Sequence, residues 1–492
     1  MRRTIALAAL LVAATGAEAL AAPAPPLGHE GRWLTDAHGR AVILHGFNLV
    51  HKVGSYRPAD TGFGRDDARF LRRNGFNAIR LGIIYKGLEP DPPGPDGAPR
   101  YRRGYLRSLK RSERTLARHG VFTMLDFHQD LFNERFQGEG WPDWQVLDDG
   151  VPSQLQQGFP ANYLVNLGLQ RAFDNFWANR SAQGVPLQDA YADAWARVAA
   201  TFKRRPHVMG YDLLNEPWPG SAFPTCVSPL GCPLFDAGPL TEFSNRTIAR
   251  IREVDRRTLV FYEPLLTFDF GAETAHADTG DPNAGFSFHD YCLPAGLGFG
   301  AAPQGTCDPL EELVFENADE HVERTGDVPF LTEFGATDDL ATIERLVRFS
   351  DDHLVSWHYW HYCDCDDPTT QGPGVQSLVV DPSRPPRGDN VKRAKLEVLA
   401  RPYPQAVAGT PQRIEFDPKA RVLELDYATA APAGERLPRR LATEVFLPRI
   451  QYPDGYVASA DGARIRSPRD ARVLELKRRR GAAEVTLTVA PR

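Results

Sequence analysis

The chain has 492 residues, enough for two or three domains of ordinary size. With 42% hydrophobic and 24% charged residues it has the composition of a soluble globular protein, neither disordered nor fibrous. Its 57 basic and 63 acidic residues leave a net charge of −6, without the basic excess of a nucleic-acid binder, and no nucleic-acid partner is expected.

The N-terminus carries the pattern of a secretory signal. Arg2 and Arg3 give a positive start, residues 5–14 are apolar, and Ala19-Leu20-Ala21 offers small residues for cleavage. Residues 1–22 are therefore predicted to be removed, and the apolar run is too short to span a bilayer. The mature protein is expected to be secreted or otherwise extracytoplasmic, in a periplasm or outside the cell. Six cysteines suit that compartment. Cys226 with Cys232 and Cys292 with Cys307 would each close a short loop. Cys363 and Cys365 are awkward partners, because a single residue separates them. No Cys or His has the spacing of a zinc finger, and no metal is expected.

From about residue 41 to about residue 399, short apolar runs alternate with helical patterns. The runs are AVILHGFNL (41–49), NAIRLGI (77–83), VFTMLDFH (121–128), GYDLLNE (210–216), TLVFYEP (258–264), GFSFHDY (285–291), VPFLTEFG (328–335) and HLVSWHYW (353–360). Near-continuous apolarity marks strands buried on both faces. Helical patterns at 66–74 and 341–351 illustrate the spacers. Eight such runs predict a (β/α)8 TIM barrel, an α/β fold, over residues 23–401. The runs end in Asn48, Arg80, His128, Glu216, Glu263, His289, Glu333 and Trp360. In such barrels chemistry sits at the C-terminal ends of the strands, which makes these eight residues candidates together.

Beyond Pro402 the period changes to two, in runs at 421–427, 444–447, 472–476 and 484–489. An antiparallel β-sandwich is predicted for residues 402–492. The hexamer ARVLEL starts at both Ala420 and Ala471. The basic run Lys477-Arg478-Arg479-Arg480 is read as a solvated hairpin end, with a membrane-facing patch as the alternative.

Asn215-Glu216-Pro217 follows the fourth run and Thr332-Glu333-Phe334-Gly335 ends the seventh. Hydrolysis of a glycosidic bond needs two carboxylates, and a retaining enzyme holds them about 5 Å apart. Strands four and seven face each other across a barrel mouth. Glu216 is assigned as acid/base and Glu333 as nucleophile. Two carboxylates suffice for this chemistry, so no cofactor is expected.

Around these residues the sequence resembles glycoside hydrolase family 5, and within it the endoglycoceramidases. The resemblance rests on GFNLVHK (46–52), LDFHQDLF (125–132), NEPWPG (215–220), FHDYC (288–292) and EFGATDD (333–339). It implies a retaining β-glycosidase that cuts between oligosaccharide and ceramide in glycosphingolipids. It also implies roles: Asn215 on the sugar 2-hydroxyl, Arg80 and Tyr291 holding Glu333 ionised, His128 and His289 supporting the subsite, Lys52 and Asp130 on sugar hydroxyls, and Trp360 under a sugar ring. Residues 362–365 (Tyr-Cys-Asp-Cys) depart from the pattern, in the region that walls the subsite.

The 131–200 segment is long for a strand-to-helix connection and rich in aromatics: Phe132, Phe136, Trp141, Trp144, Phe173, Phe176 and Trp177. Exposed on the rim, they would offer apolar surface to alkyl chains, with Trp177 expected to touch the ligand. The alternative is that they pack the segment onto the barrel. The expected partner is a glycosphingolipid or other β-glycoside, with peripheral contact to lipid surfaces, and the protein is expected to be a monomer. Two other readings stand beside this one: a family 5 enzyme acting on soluble glycans or simple glucosides, and a non-catalytic glycan- or lipid-binding protein.

Overall fold

The computed structural model describes residues 23–153, 155–292, 307–370 and 373–492. The predicted leader, 1–22, lies outside them. Eight parallel strands close a barrel in chain order: His45–Leu49, Ala78–Ile84, Phe122–His128, Val208–Asp212, Leu259–Tyr262, Ala284–Asp290, Val328–Phe334 and Ser356–Tyr359. Every residue of these strands is buried, as required of strands with helices outside and packed side chains inside. The predicted helices are present at Arg65–Arg73 and Leu340–Asp352.

The barrel floor is apolar: Ala78, Phe122, Met124, Met209, Leu259, Phe261, Val328 and Phe330 belong to one cluster. Phe261 fills it because its two neighbouring strands carry glycine. A Cβ on Gly210 or on Gly285 would collide with the Phe261 ring. Phe261→Ala should therefore leave a cavity that these rigid strands cannot collapse. A loss of about 3–5 kcal/mol is expected in urea unfolding; a loss below about 1 kcal/mol would show that the floor repacks.

After the barrel come two antiparallel sheets. Thr410–Asp417, Val422–Ala428, Glu484–Pro491 and Tyr456–Asp461 form a four-stranded sheet. The second sheet has seven strands, of which four are C-terminal: Tyr403–Val407, Thr443–Phe446, Val473–Arg478 and Ala463–Ile465. The other three come from the N-terminus: Gly28–Glu30, Trp33–Thr35 and Ala41–Val42. The sequence places residues 23–401 in the barrel; the structure gives residues 28–42 to the second sheet. The predicted run 41–49 is thus two strands, and only its second half enters the barrel. The physical reason is an open sheet edge. Ala41–Val42 pairs with Tyr403–Val407 and covers it. Arg40 fastens the join, 2.8 Å from Asp36 and 2.9 Å from Glu444.

The two sheets share one core. The repeated hexamer lands on opposite sheets, so Leu423 and Leu425 meet Leu474 and Leu476 in it. Disulfides join Cys226 to Cys232 and Cys292 to Cys307. Cys363 and Cys365 are also joined, against the expectation from their spacing. Left-handed backbone at Cys365 (φ 53°) and Asp366 (φ 55°) turns the chain there. Among the described residues, no helix is long and apolar enough to cross a membrane.

Candidate active site

The ends of the barrel strands converge on Arg80. Its guanidinium, buried in the second strand, bonds Asp212 at 2.8 Å, Glu263 at 2.8 Å, Asn215 at 3.0 Å and Glu333 at 2.5 Å. A carboxyl oxygen of Asp126 lies 3.0 Å away. Burial opposes the charge, but the surrounding carboxylates outweigh it and keep Arg80 firmly protonated. Glu333 ends the seventh strand and receives a second hydrogen bond, from the Tyr291 hydroxyl at 2.9 Å. Arg80 and Tyr291 thus sit where the resemblance placed them, one on each Glu333 oxygen.

Glu216 lies beyond its strand rather than on it: the strand ends at Asp212, and the chain reaches Asn215 and Glu216 through an irregular turn. The backbone of Glu216 is left-handed, φ 43°, a conformation costly for a residue with a Cβ. It is held from both sides. Gln129 Nε2 donates to the carbonyls of Asn215 and Glu216, each at 3.0 Å, and Glu263 accepts the Glu216 N–H at 2.8 Å. The glutamine of the HQD run is therefore a brace for the NEP run.

His289 Nδ1 lies 3.0 Å from Glu216 Oε1 and 3.8 Å from Glu333 Oε2, so those two oxygens are at most about 7 Å apart, within reach of one glycosidic bond. Burial pushes the Glu216 carboxyl up to about 7, against the hydrogen bond and charge of His289. Burial disfavours the imidazolium of His289, yet the carboxylates around it raise its affinity for a proton well above normal.

Beside Glu333, with His128 Nδ1 4.0 Å from its Oε1, a second cluster gathers Lys52, His128, Asp130 and Trp360. Lys52 Nζ donates to Asp130 at 2.6 Å and to Thr369 at 2.8 Å, and lies 3.2 Å from Asp367. Asp130 Oδ2 takes both Lys52 and the Thr369 hydroxyl. His128 stacks on Trp360 with centroids 5.1 Å apart, and Lys52 Nζ sits 4.4 Å from the Trp360 ring. Burial would strip the His128 proton, but Asp126 holds it, and its pKa rises to about 10. His128, Asp130 and Glu139 come close enough to hold a cation, but the Lys52 ammonium already stands 3.8 Å from Glu139 and bonded to Asp130.

Trp177, expected to touch the ligand, is partly buried and packs against the core. It ends the helix Leu167–Trp177 and donates its indole N–H to the Trp218 carbonyl at 2.7 Å. Its ring packs edge-on against Phe176, Phe235 and Phe243. It braces the NEPWPG turn from behind. The other aromatics of that segment also pack inward: Phe132, Phe136, Trp141, Phe173 and Phe176 are core, and Trp144, partly buried, packs against it. The apolar surface exposed there comes from leucines instead, Leu155, Leu164 and Leu167, and in the next loop from Val227, Leu230 and Leu234, the last 91% exposed.

Sequence reasoning left out Asp126, Asp212 and Asp269, and it noted Glu263 only as a strand end. The signal was available: an Asp inside an apolar run such as MLDF or GYDL must have a buried partner. Thr369 and Asp367 carried no such signal, because they come from an irregular segment.

Comparison with known proteins agrees with this geometry. Residues 35–366 match the family model "Cellulase (glycosyl hydrolase family 5)", and residues 401–489 match "Glycoside hydrolase family 5 C-terminal domain". Endoglycoceramidase I of Rhodococcus hoagii (strain 103S) is 32% identical over 467 residues, spanning 92% of this chain and 86% of that one. The solved endo-glycoceramidase II from Rhodococcus sp. superposes with TM-score 0.74 as its lactosyl-enzyme intermediate, at 28% identity over 94% of this chain and 99% of that one. Its ganglioside GM3 complex gives a TM-score of 0.73 at 28% identity, with the same shares covered. Matched over more than half its length, and with both carboxylates in place at the barrel mouth, this chain belongs to glycosyl hydrolase family 5.

Proposed function

We propose that this glycosidase is a retaining endoglycoceramidase that cuts the bond joining oligosaccharide to ceramide. The observation that carries this is the pair Glu216 and Glu333, bridged by His289 at the barrel mouth, in a chain similar to endoglycoceramidases over most of its length. Glu333, held by hydrogen bonds from Arg80 and Tyr291, attacks the anomeric carbon. Glu216 gives its proton to the oxygen between sugar and ceramide as that bond breaks, and ceramide leaves. Glu216 then takes a proton from water, the water oxygen bonds the anomeric carbon, and the bond to Glu333 breaks.

The surroundings are asymmetric, as the substrate is. Lys52, Asp130 and Thr369 crowd polar atoms on one rim, with Trp360 as its apolar wall. The loops after the third and fourth strands present Leu155, Leu164, Leu167, Val227, Leu230 and Leu234 to solvent on the same face as Glu216. Alkyl chains gain about 0.8 kcal/mol per buried CH₂ on such surface. The three paired disulfides support work outside the cytoplasm.

Mass spectrometry of products from a glycosphingolipid tests the reading. Intact oligosaccharide with free ceramide is expected. Stepwise loss of terminal monosaccharides, or cleavage only of lipid-free glycans, would return the protein to the soluble-glycan reading. The pH profile tests the acid. Glu216 must carry a proton to act, and burial raises its pKa to about 7. kcat/KM should therefore hold below that value and fall tenfold per unit above it. A profile flat to about pH 9 would remove Glu216 from the role.

A further inference from the structure

Glu263 follows directly on the fifth strand, Leu259–Tyr262, and is almost wholly buried. Its Oε2 accepts the backbone N–H of Glu216 at 2.8 Å. Its Oε1 accepts from Arg80 Nη2 at 2.8 Å and lies 3.6 Å from His289 Nε2. Arg80 is the residue bonded to the Glu333 carboxylate, and His289 the residue bonded to the Glu216 carboxyl. One side chain thus touches the main chain of the proton donor and the supports of both reactive carboxylates.

A buried glutamate beside an arginine has a simpler reading, as a counter-charge. Arg80 does not need it for that, because Asp126, Asp212 and Glu333 already lie within 3.0 Å of its guanidinium. The hydrogen bond to the Glu216 N–H is the distinctive feature. It falls on a left-handed residue whose carbonyl is held separately by Gln129. Without an acceptor at that N–H, the peptide is free to relax toward the common right-handed or extended regions, which would swing the Glu216 carboxyl away from the leaving oxygen. Burial alone would raise the Glu263 pKa, but His289 and Arg80 lower it, so the group is an ionised acceptor.

We propose that Glu263 is a positioning residue for proton delivery, fixing both the left-handed Glu216 backbone and the imidazole that bonds its carboxyl. This rests on the reading of Glu216 as the acid. A leaving group that needs no proton separates the roles. Dinitrophenolate departs unaided, whereas a ceramide alkoxide does not, and kcat/KM reports the bond-breaking half of the reaction for either. Glu263→Ala should lower kcat/KM about 100-fold on lactosylceramide and less than about fivefold on dinitrophenyl lactoside, with the loss in kcat rather than KM. Glu263→Gln keeps an oxygen for the Glu216 N–H and should recover at least about tenfold of that loss.

Glu216→Ala is the reference. If it shows the leaving-group split and the Glu263 variants lose both substrates in parallel, or neither, Glu263 is structural and the proposal is overturned. If Glu216→Ala itself shows no split, the assignment of the acid fails, and the positioning role falls with it. Circular dichroism checks that each variant is folded. Should Glu263→Ala not fold, Glu263→Gln decides: a residual loss confined to lactosylceramide supports the proposal, and any parallel loss overturns it.

Discussion

Glu333→Gln should reduce turnover of a glycosphingolipid by about 10⁴-fold or more while leaving its binding within a few-fold of the parent, because it removes the nucleophile and keeps the shape. The geometry makes the separation clean. Glu333 Oε2 accepts from Tyr291 and Oε1 from Arg80, both support contacts rather than sugar contacts. The groups proposed to meet the sugar, on Lys52, Asp130 and Asn215, come from other strands and loops and are expected to stay in place. The amide will still accept one of the two donors, but it cannot form a covalent bond to the anomeric carbon. Single-turnover kinetics with calorimetric binding on the same preparation checks both halves. Loss of binding in proportion to loss of rate would mean that Glu333 organises the subsite, and the nucleophile would have to be sought elsewhere.

Arg80→Met should be among the changes most damaging to stability. The guanidinium stands among Asp126, Asp212, Glu263 and Glu333, and Met fills its space without its charge. Removing one member of a buried ionic group typically costs about 3–5 kcal/mol, because the remaining charges are left uncompensated. The pH dependence identifies the cause. Burial already holds Asp212 well above the usual carboxylate range even with Arg80 beside it. Without that cation, the folded-state pKa of Asp212 rises further above its unfolded value near 4. A group raised in this way favours folding below its unfolded pKa and loses that contribution as pH climbs through its folded one. The deficit of Arg80→Met relative to the parent should therefore be small near pH 4 and full near pH 7. Denaturant unfolding at the two values measures it. An equal deficit at both would point to lost packing.

The barrel was legible because eight apolar runs are an unambiguous signal for strands covered on both faces. The carboxylate pair was legible because two glutamates stand at ends of runs four and seven. What escaped is instructive. Gly28–Glu30, Trp33–Thr35 and Ala41–Val42 are two or three residues long, too short for any periodicity, and the last of them takes a partner from the far end of the chain. Trp177 was expected at the ligand; an aromatic near a predicted rim is equally at home in the rim's own packing, and here the Trp218 carbonyl takes its indole N–H. Lys52 and Asp130 were expected on sugar hydroxyls; their placement in space shows that they also bond one another. The Cys363–Cys365 link defeated a spacing argument because left-handed residues, invisible in a sequence without glycine there, changed the path of the chain.

The seven-stranded sheet takes its first strands from residues the ribosome makes early and its last from residues made at the end, with Arg40 hydrogen-bonding Ala442 across 402 positions. During synthesis, the strand Ala41–Val42 emerges long before its partner Tyr403–Val407 exists. Until then its edge is unpaired, the kind of surface that recruits foreign strands. Closing so long a loop is slow, which puts a late, rate-limiting docking step at the end of the folding path. Expression of residues 23–401 alone would leave that edge permanently open, so shortened versions of this enzyme are expected to aggregate even though every barrel strand is present.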